Sequence, residues 1–370
     1  MSAKGLTNYW DYIRVEELLS LQRGLAASDA DLANDEVLFI SVHQVYELWF
    51  KLILRELTAA RNLFVQGIVR EQQLSGAARS LKRVVTILRV AIQHWEVMET
   101  LSTREYLAFR DKLMGASGFQ SAQMRQIEIL LGLSDSERIP LGLEGDYLAA
   151  LRSADGSRSW AQQRVEAQKR DVPTLRDALY AWLYRTPIDG SGPRDSGAQA
   201  ALDAFLARML SAHAQFVDGT CARALEMSMG QPDRERIQAR YESEKRSVRE
   251  FFEDDGTPES AMRRRVRAAM VFIETYRELP LLAWPREVLD SIVEVEQFFT
   301  VFRQRHARMV ERVIGRRVGT GGSAGVEYLD QTALRYRVFS DLWAVRTLQL
   351  PRAVAPVLEH ADFYGFKSGD

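Results

Sequence analysis

Two histidines in this chain stand in the middle of apolar helical stripes. The run from Asp290 to Gly325 reads DSIVEVEQFFTVFRQRHARMVERVIGRRVGTGGSAG. Ile292, Val295, Phe299, Phe302, His306, Met309 and Val313 recur at three- and four-residue spacing, which predicts one buried helical stripe. Glu294, Glu296, Arg303, Arg305, Arg308 and Arg312 are expected elsewhere on that helix. A histidine so placed is either a core residue satisfied by a polar neighbour or the axial ligand of a haem lying against the stripe. Period alone leaves both readings open. The helix ends near Ile314-Gly315, and the glycine-rich run Gly319-Thr320-Gly321-Gly322-Ser323 follows. Such a loop lets backbone N–H groups approach an anion.

Residues 36–54, EVLFISVHQVYELWFKLIL, repeat the pattern. Phe39, Val42, His43, Tyr46, Phe50 and Ile53 share a face, again with one histidine embedded. In residues 95–120, WEVMETLSTREYLAFRDKLMGASGFQ, Tyr106 and Arg110 stand four apart with Phe109 between them. A guanidinium beside aromatic side chains on a mostly buried helix needs an anion. A ligand carboxylate is a natural one, because it matches the guanidinium fork; a surface ion pair is the plainer alternative.

These stretches must be positioned by helices. Long segments rich in Ala, Leu, Arg, Glu and Gln carry helical period, and sustained β-branched alternation is missing, so the fold class is all-α. Helices are expected near 9–23, 34–67, 74–100, 103–114, 121–132, 144–154, 159–169, 173–185, 196–227, 231–253, 258–278, 285–315 and 326–345. Asp35 belongs to an acidic first turn of the second of these, and Pro285 suits the first turn of the His306 helix. Between 139 and 279 charge density rises and prolines punctuate the chain, with RTPIDGSGPRDSG (185–197) reading as a loop. The expected organisation is a bundle made of 1–138 and 280–370, with 139–279 as a helical insertion. His213 and Cys221, eight apart, are assigned no chemistry.

The 370 residues are 46% hydrophobic and 27% charged, with a net charge of −1, which makes no electrostatic case for nucleic acid or an anionic membrane. No apolar run is expected to approach the roughly 18 residues of a membrane span. The start, MSAKGLTNYWDY, lacks the pattern of a signal peptide. The single cysteine excludes an intrachain disulfide and fits a reducing cytoplasm. A carboxylate-bridged di-metal site fails on spacing: His43 and Glu47 are at i, i+4, but no Glu stands three residues before His43, His94, His213 or His306, and Val357 precedes His360.

Three blocks together resemble the tryptophan 2,3-dioxygenase family: FISVHQVYELWFKLIL, ETLSTREYLAFRDKLMGASGFQSAQMRQIEILLG and FRQRHARMVERVIGRRVGTGGSAGVEYL. The resemblance covers roughly 6–135 and 285–345. It implies an all-α bundle enclosing haem b, with His306 as the iron ligand and Trp95, Ser117 and Gly321 lining the haem pocket. It implies that His43 meets the indole N–H, that Phe39 packs on the indole, and that Tyr106 walls the pocket. Arg110 would clamp the substrate carboxylate, and Thr320 would meet the amino-acid head group. Tyr9, Tyr12 and Ile13 match the segment that reaches a neighbouring subunit's site in a homotetramer. The implied reaction is L-tryptophan plus O2 to N-formyl-L-kynurenine. A related haem monooxygenase acting on tryptophan or a substituted aromatic amino acid, and a haem sensor or carrier without turnover, are the alternatives.

Overall fold

The structure is a computed structural model that describes residues 8–113, 121–139, 148, 151–152, 156–228, 230–315, 317 and 325–365. Among these residues every regular element is helical, and one isolated antiparallel bridge joins Ile188 and Ser191. The chain divides into two compact units. Unit 1 is 1–55, 86–171 and 297–336; unit 2 is 56–85, 172–296 and 337–370.

The α-helices, in chain order, begin with α1 (Tyr9–Tyr12), α2 (Val15–Leu19), α3 (Asn34–Phe64), α4 (Glu71–Met98), α5 (Thr103–Phe109) and α6 (Ala122–Leu131). They continue with α7 (Trp160–Arg170), α8 (Leu175–Leu183), α9 (Ala198–Glu226), α10 (Gln231–Phe251) and α11 (Pro258–Thr275). The last three are α12 (Ala283–Ile314), α13 (Val326–Arg335) and α14 (Ser340–Thr347). Most expected helices are found within a few residues of their predicted ends. Asp35 lies in the acidic first turn of α3, and Pro285 in the first turn of α12. The helix expected near 144–154 lies mostly outside the described residues.

Two expected helices are broken. The segment 9–23 splits because Arg14 adopts a left-handed conformation (φ 53°) between α1 and α2. Its Nε donates to Glu17 at 2.7 Å. The segment 326–345 splits at 336–339, where the Glu296 carboxylate accepts the backbone N–H groups of Val338 (2.5 Å) and Phe339 (3.0 Å) and the indole N–H of Trp343. Three local donors at one buried carboxylate compensate for the interrupted helix.

The stripe expected on α12 is buried: Ile292, Val295, Phe299, Phe302, Met309 and Val313 are each at most 4% exposed. Glu296 and Arg303, expected off that stripe, are buried as well. Each has a buried counter-group, which period cannot reveal. In unit 1, α6 and α7 close on Ala122, Ile129, Leu151 and Val165. In unit 2, Arg185 donates to the carbonyls of Phe64, Gln66 and Gly67, satisfying the C-terminal end of α3. There too Asp341 holds Arg267 at 2.8 Å.

Against the expectation for membrane spans, α3 is long and apolar enough to cross one. One face of it is buried, with Val42, Tyr46, Phe50, Ile53 and Leu57 in the core, while Leu48 and Leu52 are exposed. The polar Gln44, Glu47 and Lys51 share the same helix.

Candidate functional site

Unit 1 brings the two stripe histidines together with the aromatic residues that the sequence singled out. On α12, the His306 imidazole lies under the Trp95 indole, with ring centroids 4.8 Å apart and planes 13° from parallel. Trp95 is 3% exposed and also meets Tyr46 (4.2 Å) and Phe302 (5.5 Å). Tyr46 in turn donates from its hydroxyl to the Ala91 carbonyl at 3.0 Å, which fixes this aromatic block between α3 and α4.

On α3, the Phe39 ring packs on His43 at 4.1 Å, on Tyr106 at 6.1 Å and on Phe109 at 5.5 Å. Tyr106 and Phe109 are the buried residues of α5. That helix begins at a capping box: the Ser102 hydroxyl accepts the Glu105 N–H, and the Glu105 carboxylate accepts the Ser102 N–H. Arg110 follows as the first residue of a short 3₁₀ turn, Arg110–Leu113, and is half-buried.

The His43 Nδ1 stands 2.7 Å from the Phe39 carbonyl oxygen. A carbonyl only accepts, so Nδ1 carries the hydrogen and Nε2 of the neutral ring keeps its lone pair. Burial pulls the basicity of His43 below the usual range, against that hydrogen bond and the Glu47 charge, which favour protonation. His306 is pushed down to about 4 by burial, with the charges of His43 and Arg125 acting in the same sense. Both imidazoles are therefore neutral near pH 7. By accessible area both rings are only half-buried, although protein surrounds them closely enough for desolvation to dominate.

The chemistry of His306 and Trp95 suits a bound metal-carrying group. His306 offers a neutral ring nitrogen, the state a metal ligand requires. The buried Trp95 Nε1 has no hydrogen-bond partner among the described residues. A buried indole N–H without an acceptor is what a bound polar group would satisfy.

Unit 1 also holds a buried charge cluster that helical period did not reveal. The Glu128 carboxylate accepts from Arg125 at 2.8 Å, Arg138 at 2.7 Å and Arg303 at 3.1 Å, all nearly excluded from solvent. Burial alone would raise this carboxyl, but the three guanidiniums outweigh it and hold it at about 2. A second unforeseen pair joins Lys112 Nζ to Glu36 Oε2 at 2.7 Å. The one signal for either was an i, i+3 Arg125–Glu128 spacing on a short apolar helix.

Tyr9 and Tyr12 are about three-quarters exposed in this chain, and Ile13 is 43% exposed. Ser117, Thr320 and Gly321 lie outside the described residues.

The profile described as tryptophan 2,3-dioxygenase matches residues 1–349. The chain is 58% identical over 368 residues to the tryptophan 2,3-dioxygenase of Sorangium cellulosum, covering 98% of this chain and 88% of that protein. It is 51% identical over 364 residues to tryptophan 2,3-dioxygenase 2 of Ralstonia nicotianae, covering 97% of each. At greater distance, it is 31% identical over 368 residues to the tryptophan 2,3-dioxygenase of Xenopus laevis, covering 96% of this chain and 86% of that protein.

Proposed function

The chain belongs to the tryptophan 2,3-dioxygenase family, and from that membership we propose how unit 1 carries out the reaction. The enzyme is an oxidoreductase that opens the indole ring of L-tryptophan with O2, giving N-formyl-L-kynurenine.

In this reading the cofactor is haem b; His306 would hold its iron, and Trp95, Ser117 and Gly321 would line its pocket. Haem, when bound, supplies the iron that binds and activates O2, which otherwise reacts poorly with a closed-shell indole. The rest falls to this chain's side chains. Trp95 fixes the plane of the His306 ring by stacking on it. Phe39 packs on one face of the substrate indole. The His43 Nε2 lone pair, left free by the Nδ1–H bond to the Phe39 carbonyl, accepts the indole N–H. Arg110 receives the substrate carboxylate in a two-pronged contact, and Thr320 meets the amino-acid head group. Tyr106 and Phe109 close the wall behind Phe39 and keep water from the ring.

The exposed aromatic residues Tyr9 and Tyr12, with Ile13, suit a segment that completes a neighbouring subunit's site, so a homotetramer is proposed. A cytoplasmic location is proposed on the lone cysteine and the near-neutral charge.

The observation that carries this reading is the pairing, within one unit, of a tautomer-fixed His43 with a neutral, stacked His306. The test is mass spectrometry of the product formed from haem-loaded ferrous protein, L-tryptophan and ¹⁸O2. Two labelled oxygen atoms in N-formylkynurenine are expected. One labelled atom would move the enzyme to a monooxygenase reaction and reopen the role of His43. No product would leave a haem-binding protein without turnover.

A further inference from the structure

The two ends of the proposed substrate site sit on different elements. Phe39 and His43, for the indole, are on α3. Arg110, for the carboxylate, is on the 3₁₀ turn that ends α5. The separation of these elements decides whether one ligand can satisfy both ends.

Aromatic packing alone does not fix that separation. Phe39 meets Tyr106 and Phe109 at 6.1 and 5.5 Å, and such contacts tolerate sliding and tilting. A short 3₁₀ turn is also a weak frame, since its internal hydrogen bonds are poorly aligned. A directional tie is present two residues beyond Arg110: Lys112 Nζ donates to Glu36 Oε2 at 2.7 Å. Glu36 is 8% exposed and stands in the first turn of α3, three residues before Phe39. A carboxylate there is favoured by the helix dipole whether or not Lys112 is present. The pair therefore constrains the turn more than it rescues the glutamate. Lys112 itself is half-exposed, so its contribution to overall stability is small.

We infer that the Glu36–Lys112 pair sets the spacing between the indole-holding face of α3 and the Arg110 guanidinium, which makes Lys112 a positioning residue for the carboxylate end of the substrate. The inference rests on the proposed role of Arg110. It implies that losing the pair weakens the grip on the amino-acid group and leaves the grip on the ring unchanged.

The test compares haem-loaded Lys112→Met, Lys112→Arg and Arg110→Ala enzymes with the unmodified one. The KM for L-tryptophan and the inhibition constant for 3-methylindole, which keeps the ring but lacks the amino-acid group, are both measured. For Lys112→Met, KM rises about three- to tenfold with kcat changed by less than about twofold. The 3-methylindole constant stays the same, and Lys112→Arg restores KM. Should Lys112→Met fail to fold, Glu36→Met removes the acceptor with similar side-chain length and carries the same expectation. An unchanged KM in Lys112→Met, beside a raised KM in Arg110→Ala, overturns the inference and leaves the clamp standing. Weakened 3-methylindole binding in Lys112→Met also overturns it, because the pair would then be shaping the whole pocket. An unchanged KM in Arg110→Ala removes the clamp and the inference with it.

Discussion

The Trp95 indole lies 4.8 Å from the His306 imidazole with the two planes only 13° apart. Near-parallel contact at this distance restricts rotation of the imidazole about its ring torsion. Trp95→Ala should remove the stack and leave a cavity beside Tyr46 and Phe302. A loss of about 3–5 kcal/mol in unfolding free energy is expected, read from urea denaturation of the apoprotein. Trp95→Phe keeps an aromatic face and should lose less than half as much.

His306→Ala should fold and fail to retain haem. Its circular dichroism should match the unmodified chain, while gel filtration after haem addition leaves no Soret band in the protein peak. Added imidazole, filling the vacated space, should restore part of that band. A stable haem spectrum without imidazole would place the axial ligand elsewhere.

His43→Ala leaves His306 and its stack on Trp95 in place. It removes the acceptor that the bond from His43 Nδ1 to the Phe39 carbonyl prepares. Haem loading should be unchanged, and kcat/KM should fall by about 1.5–3 kcal/mol, the worth of a hydrogen bond in a desolvated pocket. Loss of haem in this variant would show that His43 is a ligand.

Arg110→Ala should raise KM for L-tryptophan and lower kcat/KM by about 2–4 kcal/mol, because a carboxylate that has left water would have no cation to meet. Steady-state kinetics decides it, with indole compounds lacking a carboxylate as the insensitive control.

The Glu128 cluster gives a pH dependence of definite sign. Its carboxyl lies at about 2 when folded, below its ordinary value, because Arg125, Arg303 and Arg138 outweigh the opposing effect of burial. A group depressed on folding stabilises above its unfolded value and loses that contribution as pH falls through the folded one. A depression of this size is worth about 3 kcal/mol at neutral pH, draining away between roughly pH 4.5 and pH 2. Between pH 5 and pH 3 the native chain should lose about 2 kcal/mol more unfolding free energy than Glu128→Gln does. At neutral pH Glu128→Gln should itself be less stable by about 3–5 kcal/mol, since three buried guanidiniums lose their counter-ion.

Much of this was legible in the residues. Helical period alone located α3 and α12 and embedded His43 and His306 in their buried faces. The roles of Phe39, Tyr106 and Arg110 came from family resemblance; of the three, Phe39 and Tyr106 meet ring to ring. Arg303 and Glu296 were misplaced because a charge on a helix reads as solvent-facing until a counter-group from elsewhere in the chain is known. Glu128 supplies that group for Arg303, and the backbone of 338–339 supplies it for Glu296. The split between α13 and α14 was hidden for the same reason, since the donors it frees are satisfied by a residue some forty positions away. Lys112 and Glu36 are 76 residues apart, beyond the reach of any local pattern.

Glu36, Phe39 and His43 lie on one uninterrupted helix, at intervals of three and four residues. A single inserted or deleted residue between them would turn everything on one side by about 100° and shift it by about 1.5 Å. No loop within that stretch could absorb the error. The rigidity of the rod on which the three positions are mounted fixes their spacing, and with it the geometry of the indole end of the site.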